Sequence, residues 1–294
     1  YFESDVMQIR GLVVHELSHT ASHWNMHMTL DEWLFNEKVP GISGIDTREL
    51  TKKLRNGGVM MAALAVSDTP INDEEIKQQL NQAPNYNSEQ FMDRVSTKQE
   101  KQFGSEDECI VVVDTGAKNA IIRNVRDLGY KAILVPWDTP FEKIMSYNPK
   151  GVVLSSGPGD PQNCPATIDT AKKLIETNTP TLGICLGAQI IGIAGNTETY
   201  KLKYGHRGQN KPCINLENNQ VYVTSQNHGY GIKPESLANS DFNLWFTNAD
   251  EKTVEGIKHK KQNCIAVQFH PEAAPGPFDC KFVFEELKKL MEKK

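Results

Sequence analysis

A cysteine between two glycines has the setting in this sequence best suited to chemistry. Cys185 follows the apolar segment 181–184, and Gly183 and Gly187 stand two residues away on either side. A tight strand-to-helix turn needs small residues at those flanks, and such a turn raises a nucleophile above the edge of a sheet. The helix N-terminus favours the thiolate, and the N–H of Leu186 would face a reacting carbonyl. The pattern predicts that Cys185 attacks a carbonyl carbon.

A histidine and a glutamate near the end of the chain predict the base that serves this cysteine. His270 ends a predicted strand, and Glu272 lies two residues further on. In extended backbone such side chains point the same way, so Glu272 can accept a hydrogen bond from one imidazole nitrogen while the other faces Cys185. The sequence therefore predicts a Cys–His–Glu triad.

A loop with two glycines, 155–161, follows the predicted strand 151–154. Glycine lets backbone N–H groups approach a ligand closely, and ligands bind at the carboxyl ends of parallel strands. We expect the N–H of Gly157 to be a second oxyanion donor beside that of Leu186. Without the cysteine turn, the loop would be interpreted as an ordinary Gly-Pro turn.

Two patterns that point to other chemistry are weaker. Residues 15–19 match the HExxH pattern of zinc proteases, but a predicted strand precedes them and nearby Ser and Thr residues disfavour a long helix, so we expect no catalytic metal. The six cysteines lack zinc-finger spacing and are interpreted as free thiols in a reducing compartment. No phosphate-binding GxxxxGK[ST] string is present, so nucleotide chemistry is not expected in this chain.

The elements that must position these residues alternate from residue 109 onward. Strands are predicted at 110–113, 132–135, 151–154 and 181–184, with helices at 118–128, 141–146 and 166–176. This alternation is typical of a parallel, doubly wound sheet. Further strands are predicted at 213–216, 221–224, 244–247, 254–258 and 265–269, before a last helix at 282–291.

The amino-terminal part is predicted to be a smaller α/β domain. Its predicted strands are 9–14 and 59–66, and its predicted helices are 29–35, 47–56, 74–80 and 89–95. Asp46 or Thr47 is expected to cap the helix 47–56. Because residues 69–108 are polar and charged, we place the boundary near 105. The expected fold class is α/β, with a doubly wound, mostly parallel sheet over 106–294 and a smaller domain, truncated at its start, over 1–105.

Length and composition are consistent with two soluble domains. The chain has 294 residues, 38% of them hydrophobic and 23% charged. A net charge of −5 argues against nucleic acid as a partner, and no apolar run is long enough to cross a membrane. We expect a cytoplasmic protein.

Taken together, the motifs resemble the class I (triad-type) glutamine amidotransferases. The stretches 41–48, 151–161, 205–210, 226–230 and 269–272 are similar to the small-chain family of carbamoyl-phosphate synthetases. The resemblance implies hydrolysis of L-glutamine to glutamate and ammonia through a glutamyl thioester, and transfer of the ammonia to a synthetase. It also implies that glutamine is bound at Gly157, Gly159, Leu186, Gln189, Asn227, Gly229 and Tyr230.

The resemblance also implies what lies outside this chain. No cofactor is expected here, whereas ATP, Mg²⁺ and bicarbonate should act on a large synthetase chain or fused domain, for arginine or pyrimidine biosynthesis. Two alternatives remain, the glutaminase component of another class I amidotransferase and a non-catalytic regulatory relic that binds the synthetase. Ala188 stands where the family usually has His, and a glutamine-contacting serine of the family's longer amino-terminal domain has no counterpart. We expect the first departure to tune activity and the second to raise KM.

Overall fold

The computed structural model describes residues 2–293, which divide into two compact units, residues 2–89 and residues 90–293. Tyr1 and Lys294, the outer ends of the two predicted domains, lie outside the described residues. The boundary expected near residue 105 falls within the second unit, because residues 101–103 form a strand of that unit's sheet.

The first unit contains three α-helices and a short parallel strand pair. In chain order these elements are β1 (Leu12–Val13), α1 (Leu30–Asn36), β2 (Gly41–Ile42), α2 (Thr47–Gly57) and α3 (Asp73–Gln82). Asp46 caps α2, since its carboxylate accepts a 2.9 Å hydrogen bond from the N–H of Glu49.

Two predicted strands of this unit differ from the structure. The strand expected over 9–14 is limited to β1, and the one expected over 59–66 is not formed. A strand requires a neighbour for its backbone N–H and C=O groups, and residues 59–66 pair with no strand in the part of the chain that the structure describes. Val59, Met60 and Val66 are also exposed, so burial does not favour a strand there.

The second unit carries the alternation that the sequence predicts. Its elements are α4 (Met92–Val95), β3 (Lys101–Phe103), β4 (Cys109–Asp114), α5 (Asn119–Asp127), β5 (Lys131–Pro136), α6 (Phe141–Met145), β6 (Gly151–Leu154), α7 (Pro165–Glu176), β7 (Thr181–Ile184), α8 (Leu186–Ala194), β8 (Thr199–Asn215), β9 (Gln220–Ile232), β10 (Phe242–Asn248), β11 (Val254–His259), β12 (Cys264–Val267) and α9 (Phe282–Glu292).

The strands of this unit form one ten-stranded sheet in the order β3-β5-β4-β6-β7-β12-β11-β10-β8-β9. Five neighbouring strands of this sheet are parallel to one another, namely β5, β4, β6, β7 and β12. The remaining strand pairs are antiparallel. The predicted α/β fold is confirmed, with parallel strands in the central part of the sheet. Since β6, β7 and β12 are neighbours, the segments that follow their carboxyl ends meet at one edge of the sheet.

The core lies on both faces of this sheet. Along β4, Val111 and Val113 pack into one apolar cluster with residues of α7 and α8, while Ile110 and Val112 pack into a second with residues of α5 and α9. This double burial explains why residues 109–113 of β4 are apolar without a break. Over residues 2–293, no helix combines the length and apolar character that a membrane crossing requires.

Candidate active site

The turn between β7 and α8 holds Cys185 in an uncommon backbone conformation. Its φ is 53° and its ψ is −102°, values that a non-glycine residue adopts only where the surroundings impose them. A Cβ at Gly187 would overlap the carbonyl of Leu154, and one at Gly183 would lie 2.7 Å from the oxygen of Gly187. Both flanking positions therefore require glycine, as the sequence predicts.

His270 and Glu272 follow β12, the strand next to β7. The backbone N–H of His270 donates to the carbonyl of Ser225 at 2.9 Å, which ties this segment to β9. The Nδ1 atom of His270 lies 2.7 Å from Oε1 of Glu272. The His270 side chain is also hydrogen-bonded to Cys185, so the structure brings together the three residues of the predicted triad. The Glu272 side chain is fully buried.

The charges of the site shift the pKa of both partners. Burial lowers the pKa of His270, but the charges of Glu272 and Cys185, with hydrogen bonds to both, outweigh it and raise this pKa to about 10. Burial raises the pKa of Glu272, but the His270 charge and hydrogen bond and the Lys118 charge hold it below its ordinary value. At neutral pH the pair is therefore an imidazolium and a carboxylate.

Lys118 is a residue of this site that sequence reasoning missed. Its ammonium lies 3.1 Å from Oε1 of Glu272 and donates to the carbonyl of Ala273 at 2.7 Å. Lys118 follows the carboxyl end of β4, the neighbour of β6, and this position was the available signal. The lysine balances the buried carboxylate and fixes the backbone after it.

The loop after β6 approaches the cysteine turn closely. At Gly157, a Cβ would overlap the carbonyl of Thr115 and lie 2.9 Å from the Leu186 side chain, so only glycine fits. Gly159 has a φ of 95°, which also favours glycine. As the first residue of α8, Leu186 has an N–H that the helix itself cannot use.

Three further residues of the predicted glutamine site lie on β9. Asn227 is exposed, Gly229 is half-buried and Tyr230 is buried. The carbonyl of Tyr230 accepts hydrogen bonds from Gln189 at 2.8 Å and from Nδ1 of His228 at 2.7 Å. The predicted residue Gln189 is therefore joined to the strand that carries the other three.

Gln268 extends this link to the nucleophile and was not singled out from the sequence. Its side-chain oxygen accepts from Gln189 at 3.0 Å, and its amide nitrogen donates to Sγ of Cys185 at 3.7 Å. Gln268 lies two residues before His270, and side chains two apart in extended backbone point to the same side. This spacing was the signal that could have found it. Ala188 is buried in the apolar core, and its backbone N–H donates to the carbonyl of Cys185 at 3.1 Å.

Metal chemistry receives no support from the HExxH stretch. Residues 15–19 are not helical, so His15 and His19 do not share a helix face, and Nδ1 of His15 lies 3.2 Å from the carbonyl of Ile45. Within residues 2–293, one group has three potential ligand atoms within 4.8 Å of one another, formed by His206, His228 and Glu255. Sequence reasoning missed this group, because its members come from three different strands.

Comparisons with known proteins identify the family of this chain. The model of class I glutamine amidotransferases matches residues 111–290, and that of the CPSase domain of the carbamoyl-phosphate synthase small chain matches residues 1–64. The carbamoyl phosphate synthase small chain of Methanopyrus kandleri is 42% identical over 97% of this chain and 79% of its own length. The small chain of Pyrococcus furiosus is 42% identical over 99% of this chain and 78% of its own length.

A solved structure supports the same class. A protein from Thermoplasma acidophilum, described as a GMP synthase component, superposes with a TM-score of 0.55 at 26% identity, over 64% of this chain and 96% of that one. The family matches extend beyond this shared domain into the first unit. The chain therefore belongs to the carbamoyl-phosphate synthase small-chain family and is a glutamine-hydrolysing amidotransferase.

Proposed function

We propose that this chain is the glutaminase component of a glutamine-dependent carbamoyl-phosphate synthetase, with Cys185 as nucleophile, His270 as acid and base and Glu272 as the residue that orients it. The position of His270 supports this proposal most strongly, because its ring lies beside the cysteine and is hydrogen-bonded to a buried carboxylate. This arrangement suits acyl transfer to sulfur.

In the first half-reaction, the Cys185 thiolate attacks the side-chain amide carbon of glutamine. A C–S bond forms, and the carbonyl oxygen becomes an oxyanion that the N–H groups of Gly157 and Leu186 stabilise. His270, held as an imidazolium, donates its proton to the departing nitrogen as the C–N bond breaks. Ammonia leaves, and a glutamyl thioester remains on Cys185.

In the second half-reaction, neutral His270 takes a proton from water, and the hydroxide attacks the thioester. The C–S bond breaks, and glutamate leaves once its new carboxyl group has lost its proton to solvent. The thiolate released and the imidazolium formed from the water proton restore the starting pair. Glu272 keeps its charge throughout and stabilises each imidazolium state.

The ammonia is transferred to a synthetase component, in a separate chain or a fused domain, where ATP, Mg²⁺ and bicarbonate are used. The names of the relatives that match this chain over nearly its whole length support this role. A similarity confined to the amidotransferase domain would have supported the component of another class I enzyme equally well.

The experiment compares two nitrogen sources for carbamoyl phosphate synthesis by this chain with its synthetase partner. Cys185→Ser should abolish synthesis from glutamine but leave synthesis from free ammonia, because ammonia bypasses the thioester. Cys164→Ser is the matched control, since Cys164 is also buried and burial raises its pKa to about 12. Synthesis from glutamine by Cys185→Ser would refute the proposal, and absence of hydrolysis by the wild type would favour a regulatory relic.

A further inference from the structure

A second buried polar network joins β9, which carries residues of the predicted glutamine site, to β8 and β11, and it has no part in the mechanism above. It consists of four side chains from β8, β9 and β11: His206, Gln226, His228 and Glu255. Each is at most 6% exposed. Since buried polar atoms are almost always hydrogen-bonded, the contacts determine where the protons must be.

The contacts of His228 determine which of its ring nitrogens carries a hydrogen. Its Nδ1 atom lies 2.7 Å from the carbonyl oxygen of Tyr230, and because a carbonyl only accepts, Nδ1 must carry the hydrogen. Burial lowers the pKa of His228 to about 3, so the ring is neutral. Its Nε2 atom therefore has a lone pair and needs a donor.

The amide of Gln226 must supply that donor. As positioned, its oxygen lies 3.1 Å from Nε2 of His228, which places two acceptors together. A half-turn about the terminal bond exchanges the amide oxygen and nitrogen without changing the shape of the side chain. With the NH₂ group toward the imidazoles, one hydrogen reaches His228 and the other reaches Nδ1 of His206, also 3.1 Å away.

This orientation determines the state of Glu255. The opposite end of the amide is then an oxygen, and it lies 3.0 Å from Oε2 of Glu255. Two oxygens at this distance require a hydrogen between them, and only the carboxyl group can hold it. Burial raises the pKa of Glu255, in agreement with a neutral acid. The thiol of Cys213, 3.4 Å away, can donate to the same amide oxygen, whereas the hydroxyl of Thr224, 3.2 Å away, donates to the carbonyl of Lys211 at 2.7 Å.

His206 is the competing site for this proton. Its Nδ1 lies 3.4 Å from Glu255, its Nε2 lies 3.1 Å from Glu251, and both carboxylates raise the pKa of His206. A proton on His206 would leave Glu255 ionised and turn the Gln226 oxygen back toward the lone pair of His228. With His206 neutral and Glu255 protonated, both imidazole rings, the Gln226 amide and the Glu255 carboxyl group have hydrogen-bond partners, and none of these buried side chains is charged.

We propose that Glu255 is a positioning residue that holds a proton and, by donating it to Gln226, orients the amide that supports His228 against the carbonyl of Tyr230. This inference rests on the proposed function, because Tyr230 belongs to the predicted glutamine site. The state of a carboxyl group on β11 thereby influences the fit of glutamine rather than the chemistry at sulfur.

The network also explains the three potential metal ligands. The amide of Gln226 lies within hydrogen-bond distance of His206, His228 and Glu255, so it occupies the space between them that an ion would need. We therefore interpret the group as a hydrogen-bonded network. Zinc content of the purified chain, measured by elemental analysis, is one arm of the test.

The binding arm uses glutamine affinity in the Cys185→Ser background, where no turnover interferes, together with KM and kcat in the otherwise native enzyme. Glu255→Gln keeps a neutral donor toward Gln226 and should leave both constants within about twofold. Glu255→Leu removes the donor to the Gln226 amide. Gln226→Glu removes the NH₂ group that donates to the two imidazole rings. Each should weaken glutamine binding and raise KM by roughly tenfold, the effect of one lost hydrogen bond, with kcat within about twofold.

The spectroscopic arm reports the proton without any activity. Infrared spectra at neutral pH should contain the C=O stretch of a buried carboxylic acid that Glu255→Gln removes, and ¹⁵N spectra should show a neutral His228 protonated at Nδ1. An ionised Glu255 beside an imidazolium at His206 would overturn the proposal, as would stoichiometric zinc. Equal loss of affinity in Glu255→Gln and Glu255→Leu would do the same. If the wild type failed to hydrolyse glutamine, the proposed function would fail, while these spectra would still decide the state of Glu255.

Discussion

The Nδ1 atom of His270 and the Oε1 atom of Glu272 are 2.7 Å apart, in residues separated by a single proline. The contact fixes which ring nitrogen faces the carboxylate and leaves the other for Cys185. Lys118 binds the same oxygen, whereas Oε2 of Glu272 is buried and has no hydrogen-bond partner among residues 2–293. One carboxylate oxygen therefore carries the whole positioning role.

Replacing Glu272 by Gln should remove the charge that keeps His270 protonated. Without it, burial lowers the pKa of the ring, and an imidazolium is no longer available for the departing ammonia. We expect kcat for glutamine hydrolysis to fall roughly 10²-fold or more, with a smaller change in KM. Steady-state kinetics of glutamate release measures this effect, and Glu285→Gln, an exposed change on α9, is the control. A kcat within twofold of wild type would show that Glu272 does not act on His270.

Lys118→Met should change the pH dependence of the same step. Because the lysine lowers the pKa of Glu272, its removal raises that pKa, and activity should begin to fall at a higher pH during acidification. The pH profile of kcat/KM reports this shift on the acidic limb. Lys172→Met, an exposed change on α7, should leave the profile unchanged. An acidic limb that does not move in Lys118→Met would exclude the positioning role of the lysine.

Gly187→Ala should damage the cysteine turn by steric overlap. The added methyl group would meet the carbonyl of Leu154, which is backbone and cannot move aside without disturbing β6. We expect a loss of about 1–3 kcal/mol in the free energy of unfolding and a marked fall in kcat. Gly57→Ala is the control, since the nearest atom to its Cβ is the flexible end of Met60 at 3.5 Å. Equal stability and activity in both variants would contradict the packing account of the turn.

The sequence was sufficient for the parts of the structure that depend on local pattern. The strands at 151–154 and 181–184 and the cysteine turn agree with the structure, because apolar runs and small flanking residues leave few conformations open. Long β8 and β9 were predicted only in part. Their paired central segments contain polar residues and glycines, such as Gly208 and His228, without apolar alternation.

Contacts between distant elements account for what sequence reasoning missed at the site. Each of the missed residues contacts a partner from a distant part of the chain. Lys118 contacts Glu272, Gln268 contacts Cys185, and Glu255 contacts Gln226. These contacts form only when the strands are assembled in the sheet. The predicted strand 59–66 was wrong for a related reason, since a strand depends on a neighbour that the local pattern does not specify.

Because of His270, the free energy of unfolding of the chain should decrease as the pH rises above neutrality. Its pKa is about 10 in the folded protein and about 6.5 when unfolded, so its stabilising effect is complete below about 6.5 and is lost as the pH rises through 10. Urea unfolding of wild type and His270→Gln between pH 6 and about 10.5 measures the difference. The advantage of the wild type should shrink steadily across that range. An advantage that grows with pH would mean that the imidazole is neutral in the folded state.

The most direct test of the triad is isolation of the covalent intermediate. The chain, with its synthetase partner, is mixed with isotopically labelled glutamine, quenched in acid during turnover and digested for mass spectrometry. We predict a glutamyl adduct on the peptide that contains Cys185, formed at the rate of turnover and absent from Cys185→Ser. Turnover of glutamine without any adduct on Cys185, or with the label on another of the six cysteines, would contradict the account.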